Sequence, residues 1–255
     1  MPGGVNEGTV PVFSFMAHAY GGAAMHPRGT YSAMAVHALN GLVGSIDADC
    51  IHLPSIYQFL KRFKTVISLN YDLVLYWAMT YGLDIDDQHA FKDCFVGGGA
   101  FDDNWQRFRQ PIRGDLSTSL VFYAHGSLVL CRNLVEQERK IHNLQDGLLE
   151  AVLQRWQNGE VVPLFVSEGT WTQKVASIQN SYYLSTVYRE VLKSQRDTLV
   201  IYGWGFAEQD IHLLKRMKAD DHPDYCRFLL QFLGLRRAER LGITLSNIKN
   251  LGGTE

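Results

Sequence analysis

Cysteine is scarce in this chain, four residues in 255, and Cys50, Cys94, Cys131 and Cys226 stand too far apart for any Cys-x-x-Cys pair. That spacing offers neither a zinc framework nor a disulfide scaffold, and scattered thiols suit a reducing cytoplasm. Each is read as a small core or surface residue. No Gly-x-x-x-x-Gly-Lys-Ser/Thr loop occurs, which argues against an NTPase of the P-loop kind. Ser167-Glu168-Gly169 is not a nucleophile elbow, because that needs Gly-x-Ser-x-Gly.

No apolar run approaches the roughly 20 residues that a membrane helix needs. An excess of charge is missing too, since 24 basic residues face 26 acidic ones for a formal net charge of −2. A chain so balanced has no global attraction to nucleic acid or an anionic membrane, although Arg236, Arg237 and Arg240 make a local positive face. The opening Met1-Pro2-Gly3-Gly4-Val5-Asn6-Glu7 lacks the basic and apolar regions of a secretory leader. Nine histidines are scattered, and Asp220-Asp221-His222 reads as a solvated turn rather than a metal site. The expectation is a cytoplasmic protein with no nucleic-acid or membrane partner and no metal. Oligomerisation is left open.

What is present is an ordinary globular composition, 46% hydrophobic and 20% charged, able to bury a core. Three apolar runs end abruptly on polar or glycine residues. Thr65 to Leu69 precedes Asn70-Tyr71-Asp72, Ser119 to Ala124 precedes His125-Gly126-Ser127, and Thr198 to Tyr202 precedes Gly203-Trp204-Gly205-Phe206. A fourth, Val161 to Val166, gives way to Ser167-Glu168-Gly169-Thr170. Helical spacings lie between them. Ile56, Phe59, Leu60 and Phe63 follow Ser55 as N-cap, and Leu75, Trp77, Ala78 and Met79 lead to Gly82. Leu144, Leu148, Val152 and Trp156 precede Gly159; Leu184, Val187, Tyr188, Val191 and Leu192 follow, then Ile211, Leu214 and Met217.

Strands alternating with helices predict an α/β protein with a Rossmann-like, doubly wound, mostly parallel sheet. Residues 83–118, with Asp84-Ile85-Asp86-Asp87, Gly97-Gly98-Gly99 and Pro111, read as a loop-rich insertion. Residues 1–53 form a poorly defined N-terminal segment with a weakly patterned helix around Tyr31 to Leu42. Residues 54–218 make the α/β domain. In the tail, 219–255, the final strand that such a sheet requires is not recognisable.

Ligands of open α/β sheets bind outside the carboxyl ends of the strands. If the runs are parallel neighbours, Asn70, Asp72, His125 and Gly203 converge on one crevice, a composition suited to a nucleotide. Each has an ordinary reading as well. Asp72 stands where a helix cap or first-turn carboxylate belongs, and Asp210 is a first-turn acid. His125-Gly126 ends a strand in a turn, and Gly203 and Gly205 serve as turn glycines.

In combination these residues look like sirtuin-like domains: Leu-Asn-Tyr-Asp after a strand, a later His-Gly-Ser, and a late Gly-x-Gly-x-x-x-x-Asp. They resemble more closely a bacterial family of sirtuin-like proteins that carries only a domain-of-unknown-function label. In that family a strand leads into Asn-Tyr-Asp-Leu-x-Leu-Tyr-Trp, here Asn70-Tyr71-Asp72-Leu73-Val74-Leu75-Tyr76-Trp77. Pro163 to Gly169, Lys174 and Tyr183-Leu184-Ser185 also resemble the family, and the likeness covers residues 55 to 217.

The resemblance implies NAD as substrate or ligand, and hydrolysis of NAD to nicotinamide and ADP-ribose. His125 would accept a proton from a hydroxyl or water, because an unperturbed imidazole titrates near 6.5. Asn70 would bond the ribose or position the water, and Asp72 would hold the carboxamide or orient Asn70. Gly126, Glu168, Gly203, Gly205 and Asp210 would line the dinucleotide. An association with phage defence through NAD depletion follows by analogy of fold alone.

Two features of the family are missing. Sirtuin-like domains open on a strand and a Gly-Ala-Gly-Ile-Ser type loop, for which Gly21-Gly22-Ala23 is a poor substitute. The closing strand is likewise unrecognisable, so the chain is expected to be truncated or altered at both ends. The four-cysteine zinc module of true sirtuins is absent too, which disfavours lysine deacylation. The competing reading is a non-catalytic NAD or ADP-ribose sensor or interaction domain, or an inactive remnant.

Overall fold

The structure, a computed structural model, describes residues 53–85, 87–111, 114–142, 148–166, 169–194, 198–202, 207–218 and 227–231. Residues 1–52, with the Tyr31–Leu42 helix, Gly21-Gly22-Ala23 and Cys50, lie outside the described residues. So do Glu168, Gly203, Gly205, Cys226, Asp220-Asp221-His222 and Arg236 to Arg240. The chain divides into two compact units. One holds the described residues through Val166 together with Ser181–Leu184, and the other holds Gly169–Asn180 and the described residues from Ser185 onward.

In the first unit α1 (Leu53–Leu60) leads to β1 (Thr65–Ser68), α2 (Val74–Ile85), β2 (His89–Lys92), β3 (Phe95–Val96) and β4 (Ala100–Phe101). After a 3₁₀ turn at Trp105–Arg109 come β5 (Ser117–Tyr123), β6 (Gly126–Asn133), β7 (Glu138–Lys140), α3 (Leu148–Gln157) and β8 (Val161–Phe165). β5 is the middle of a three-stranded parallel sheet ordered β1-β5-β2. A middle strand covered on both faces reads as an unbroken apolar run. Leu120, Val121, Phe122, Tyr123 and Ala124 are all buried accordingly, and Trp105 meets Phe122 edge-on at 5.8 Å between ring centres.

A five-stranded antiparallel sheet runs β3-β4-β7-β6-β8. Only Ala124 and His125 separate β5 in one sheet from β6 in the other. The architecture is therefore mixed α/β, and the largest of the three described sheets is antiparallel, against the expectation of a mostly parallel one. β8 is the edge of that sheet, where Pro163, lacking an N–H, is tolerated.

Residues 83–118 are not a loop-rich insertion. β2 joins the parallel sheet, and β3 and β4 join the antiparallel one. These strands are two to four residues long, too short to show a period. Gly82 does not end its helix either. It lies buried inside α2 under the Tyr57 ring of α1, where any Cβ would strike the ring.

His89 opens β2 with Nδ1 2.8 Å from Ser117 Oγ, while its Nε2 is buried without a hydrogen-bond partner. Burial lowers its proton affinity below the ordinary value of 6.5. As pH falls through that value the unfolded chain takes up a proton that the folded chain resists, so stability falls with pH. We expect urea midpoints to drop between about pH 7.5 and pH 5.5, and His89→Gln to reduce that drop. An equal drop in the variant would remove His89 as the cause.

In the second unit α4 (Trp171–Gln179) starts on a capping box. Thr170 accepts from the Gln173 backbone while the Gln173 side chain accepts from the Thr170 N–H. α5 (Tyr182–Thr186) carries the chain from the first unit to the second and continues as a π turn over Val187–Val191 and a 3₁₀ turn over Leu192–Ser194. The spacing of Leu184, Val187, Val191 and Leu192 is met by burial of all four. β9 (Thr198–Tyr202) precedes α6 (Ile211–Lys218), and β10 (Arg227–Gln231) returns parallel to β9, with Thr198 opposite Arg227 and Tyr202 opposite Gln231. β10 is a strand that the apolar run at Phe228 concealed. Among the described residues no helix is long and apolar enough to cross a membrane.

Candidate functional site

β1 and β5 lie side by side and end together. Ser68 is the register partner of Tyr123, and the Ala124 N–H donates to Ser68 O at 2.9 Å. Asn70 and His125 each follow two positions after that last pair. Parallel pairing thus sets both residues at one carboxyl edge, the place where α/β sheets receive ligands.

The turn after β1 is built locally. The Asn70 N–H donates to Ser68 Oγ at 3.1 Å, and the Val74 N–H donates to Asp72 Oδ1 at 2.8 Å. Asp72 is thereby the cap that starts α2. Its other oxygen, Oδ2, is buried with no hydrogen-bond partner. Burial raises the Asp72 carboxyl above the ordinary range, against hydrogen bonds from the Val74 backbone, its own backbone and the Asn70 side chain. Asn70 itself is exposed, as a residue that meets a ligand must be.

The Asn-Tyr-Asp and His-Gly-Ser segments are stitched together. The Leu128 N–H donates to Tyr71 O at 2.9 Å, and Ser127 Oγ lies 3.3 Å from Tyr71 O and 3.5 Å from Asp72 O. The Tyr71 hydroxyl donates to Val166 O at 2.6 Å, while the Val166 N–H donates to His125 O at 2.8 Å. Val166, just past β8, therefore holds both segments. The Tyr71 ring also packs on Phe165 at 5.3 Å.

Gly126 takes φ +83°, and a Cβ there would stand 2.6 Å from Phe165 Cα. Only glycine lets β6 leave the His125 turn so close to β8. Tyr71, Ser127 and Val166 are the positioning groups that sequence reasoning missed. The available signal was the place of Tyr71 between two polar candidates, but a tyrosine there reads equally well as core.

The sequence-predicted residues thus divide. Asn70, Asp72, His125 and Gly126 share one edge of the first unit. Asp210 belongs to the second unit, in the 3₁₀ turn Glu208–Asp210 ahead of α6, and pairs with Lys174 at 2.7 Å. Burial pushes the Cys94 thiol up to about 12 and the Cys131 thiol to about 11, so neither is a thiolate at neutral pH. A family model described as "Domain of unknown function (DUF4917)" matches residues 35–224, and the chain belongs to that family.

Proposed function

We propose that this member of the family is a sirtuin-like NAD-binding protein that hydrolyses NAD to nicotinamide and ADP-ribose, on a Rossmann-like arrangement of its parallel strands. The observation that supports it is the shared edge, with Asn70 and His125 two residues past the register partners Ser68 and Tyr123. Cleavage of the nicotinamide–ribose bond passes through an oxocarbenium-like centre. It asks the protein to orient the ribose, hold the carboxamide and activate a water. His125 accepts the proton of that water, Asn70 holds the ribose or the water, and Asp72 orients Asn70 or takes the carboxamide. Asp72 lies two positions after Asn70 in the same turn, which favours the orienting role. A role in phage defence through NAD depletion rests on analogy of fold alone.

A time course of NAD loss and nicotinamide release by the purified protein tests this reading, beside Asn70→Ala and His125→Ala. Loss of the proton-accepting imidazole is expected to slow turnover about 10²- to 10⁴-fold, with the fold intact by circular dichroism. Saturable NAD or ADP-ribose binding without turnover would move the protein to the sensor class. Neither turnover nor binding would end the nucleotide reading.

A further inference from the structure

Behind the Asn70/His125 edge the first unit encloses polar groups that the proposed chemistry does not use. Tyr123, the last residue of β5, is 1% exposed and its hydroxyl has no hydrogen-bond partner. The ionisable groups that act on it electrostatically are Asp93, most strongly, then Tyr183, Asp72 and Tyr76. Asp93 is ion-paired with Lys140, and the Lys140 ammonium also lies 5.0 Å from the centre of the Tyr76 ring. Tyr183 Oη accepts from the Tyr123 backbone N–H at 2.9 Å.

Two buried oxygens in this neighbourhood are complementary. Asp72 Oδ2 is an acceptor without a donor, and Tyr123 Oη carries a donor without an acceptor. Leaving both unmet costs more than a met pair, because each loses its water on folding. The backbone brings them to the same place: Tyr123 pairs with Ser68 at the end of β1, and the turn that follows delivers Asp72 to the start of α2. Asp93 is already taken by Lys140 and by the Phe95 N–H.

We infer that Tyr123 is a positioning residue for Asp72, its hydroxyl donating to Oδ2 across one bridging water. The hydrogen bond offsets what burial does to Asp72 and fixes the second oxygen, leaving Oδ1 to cap α2 and Asn70 to face outward. Tyr123 touches no ligand in this arrangement. It acts only through Asp72. The coupling belongs to the ligand-free protein, and only its effect on turnover rests on the NAD reading.

The test is a double-mutant cycle with Tyr123→Phe and Asp72→Ser, the serine keeping a capping oxygen while deleting Oδ2. The cycle is read by thermal unfolding and by ¹³C NMR titration of the Asp72 carboxyl. Tyr123→Phe alone is expected to lower the melting temperature and to move the Asp72 titration upward by at least one pH unit. In the Asp72→Ser background the same change should leave the melting temperature level or raise it. A Tyr123→Phe protein that melts higher than wild type, or whose Asp72 titrates unchanged, overturns the inference, whatever the result with NAD. If NAD turnover exists, its acid limb should move with the Asp72 titration; a limb that stays in place while Asp72 shifts would reject Asp72 as the group behind that limb, and leave the coupling standing.

Discussion

Gly126→Ala is expected to destabilise the first unit by about 3 kcal/mol or more, read as a fall in the urea midpoint. Two costs add. A non-glycine residue in left-handed backbone costs roughly 1–2 kcal/mol, and forcing a methyl into filled space costs roughly 1–3 kcal/mol. The structure supplies both, with φ +83° and the Leu164 carbonyl and Phe165 Cα in the path of the new Cβ. Neighbours that are backbone cannot swing aside as a side chain end can. Against a typical total of about 5–15 kcal/mol the loss is large.

Gly159 is the matched control. It has φ +66° but nothing within 4 Å of its would-be Cβ, so Gly159→Ala should cost only the backbone share, about 1 kcal/mol. Equal losses at the two positions would show that β8 does not press on Gly126.

Asp210→Ala is expected to destabilise the second unit by about 3 kcal/mol, because it strands the Lys174 ammonium. The Lys174 side chain is 7% exposed and Asp210 17%, with 2.7 Å between Nζ and Oδ1. At such burial, breaking one partner costs more than removing both. Lys174→Met combined with Asp210→Ala should therefore recover most of the loss, and the paired melting curves decide it. A double variant as unstable as the single would mean that Asp210 matters for something other than Lys174. The same comparison separates the ordinary reading of Asp210 from the dinucleotide role that the resemblance implied.

Legibility in the sequence followed burial. β5 and the region of β1 announced themselves because an apolar run that stops on Asn70 or His125 has few other interpretations. α2 and α6 showed through their spacing. β2 did not, since His89-Ala90-Phe91-Lys92 is an edge strand with a polar residue at each end. β6 hid behind Gly126, which reads as a turn, although the six residues from Gly126 to Cys131 are all buried. The run Val161 to Val166 read as a strand, and β8 is one, but no local pattern says that its neighbour runs antiparallel.

The site was legible in its reactive types and opaque in its scaffolding. Asn70, Asp72 and His125 are conspicuous as polar ends to apolar runs. Tyr71 is not, because its role depends on Val166, 95 positions along the chain. Tyr123 was hidden for the opposite reason. In a middle strand an aromatic residue looks like packing, and its hydroxyl matters only once the groups around it are known.

The tie between Tyr71, Val166 and His125 also bears on how the protein is made. Each of the hydrogen bonds that join the two motifs spans a long stretch of chain, and contacts of that kind form late, after much loop entropy has been lost. A nascent chain that has emerged only through Asp72 carries half of the edge and none of its support. The edge proposed here as the site is therefore complete only once β8 is in place, and a polypeptide interrupted before Val166 would lack both of these ties.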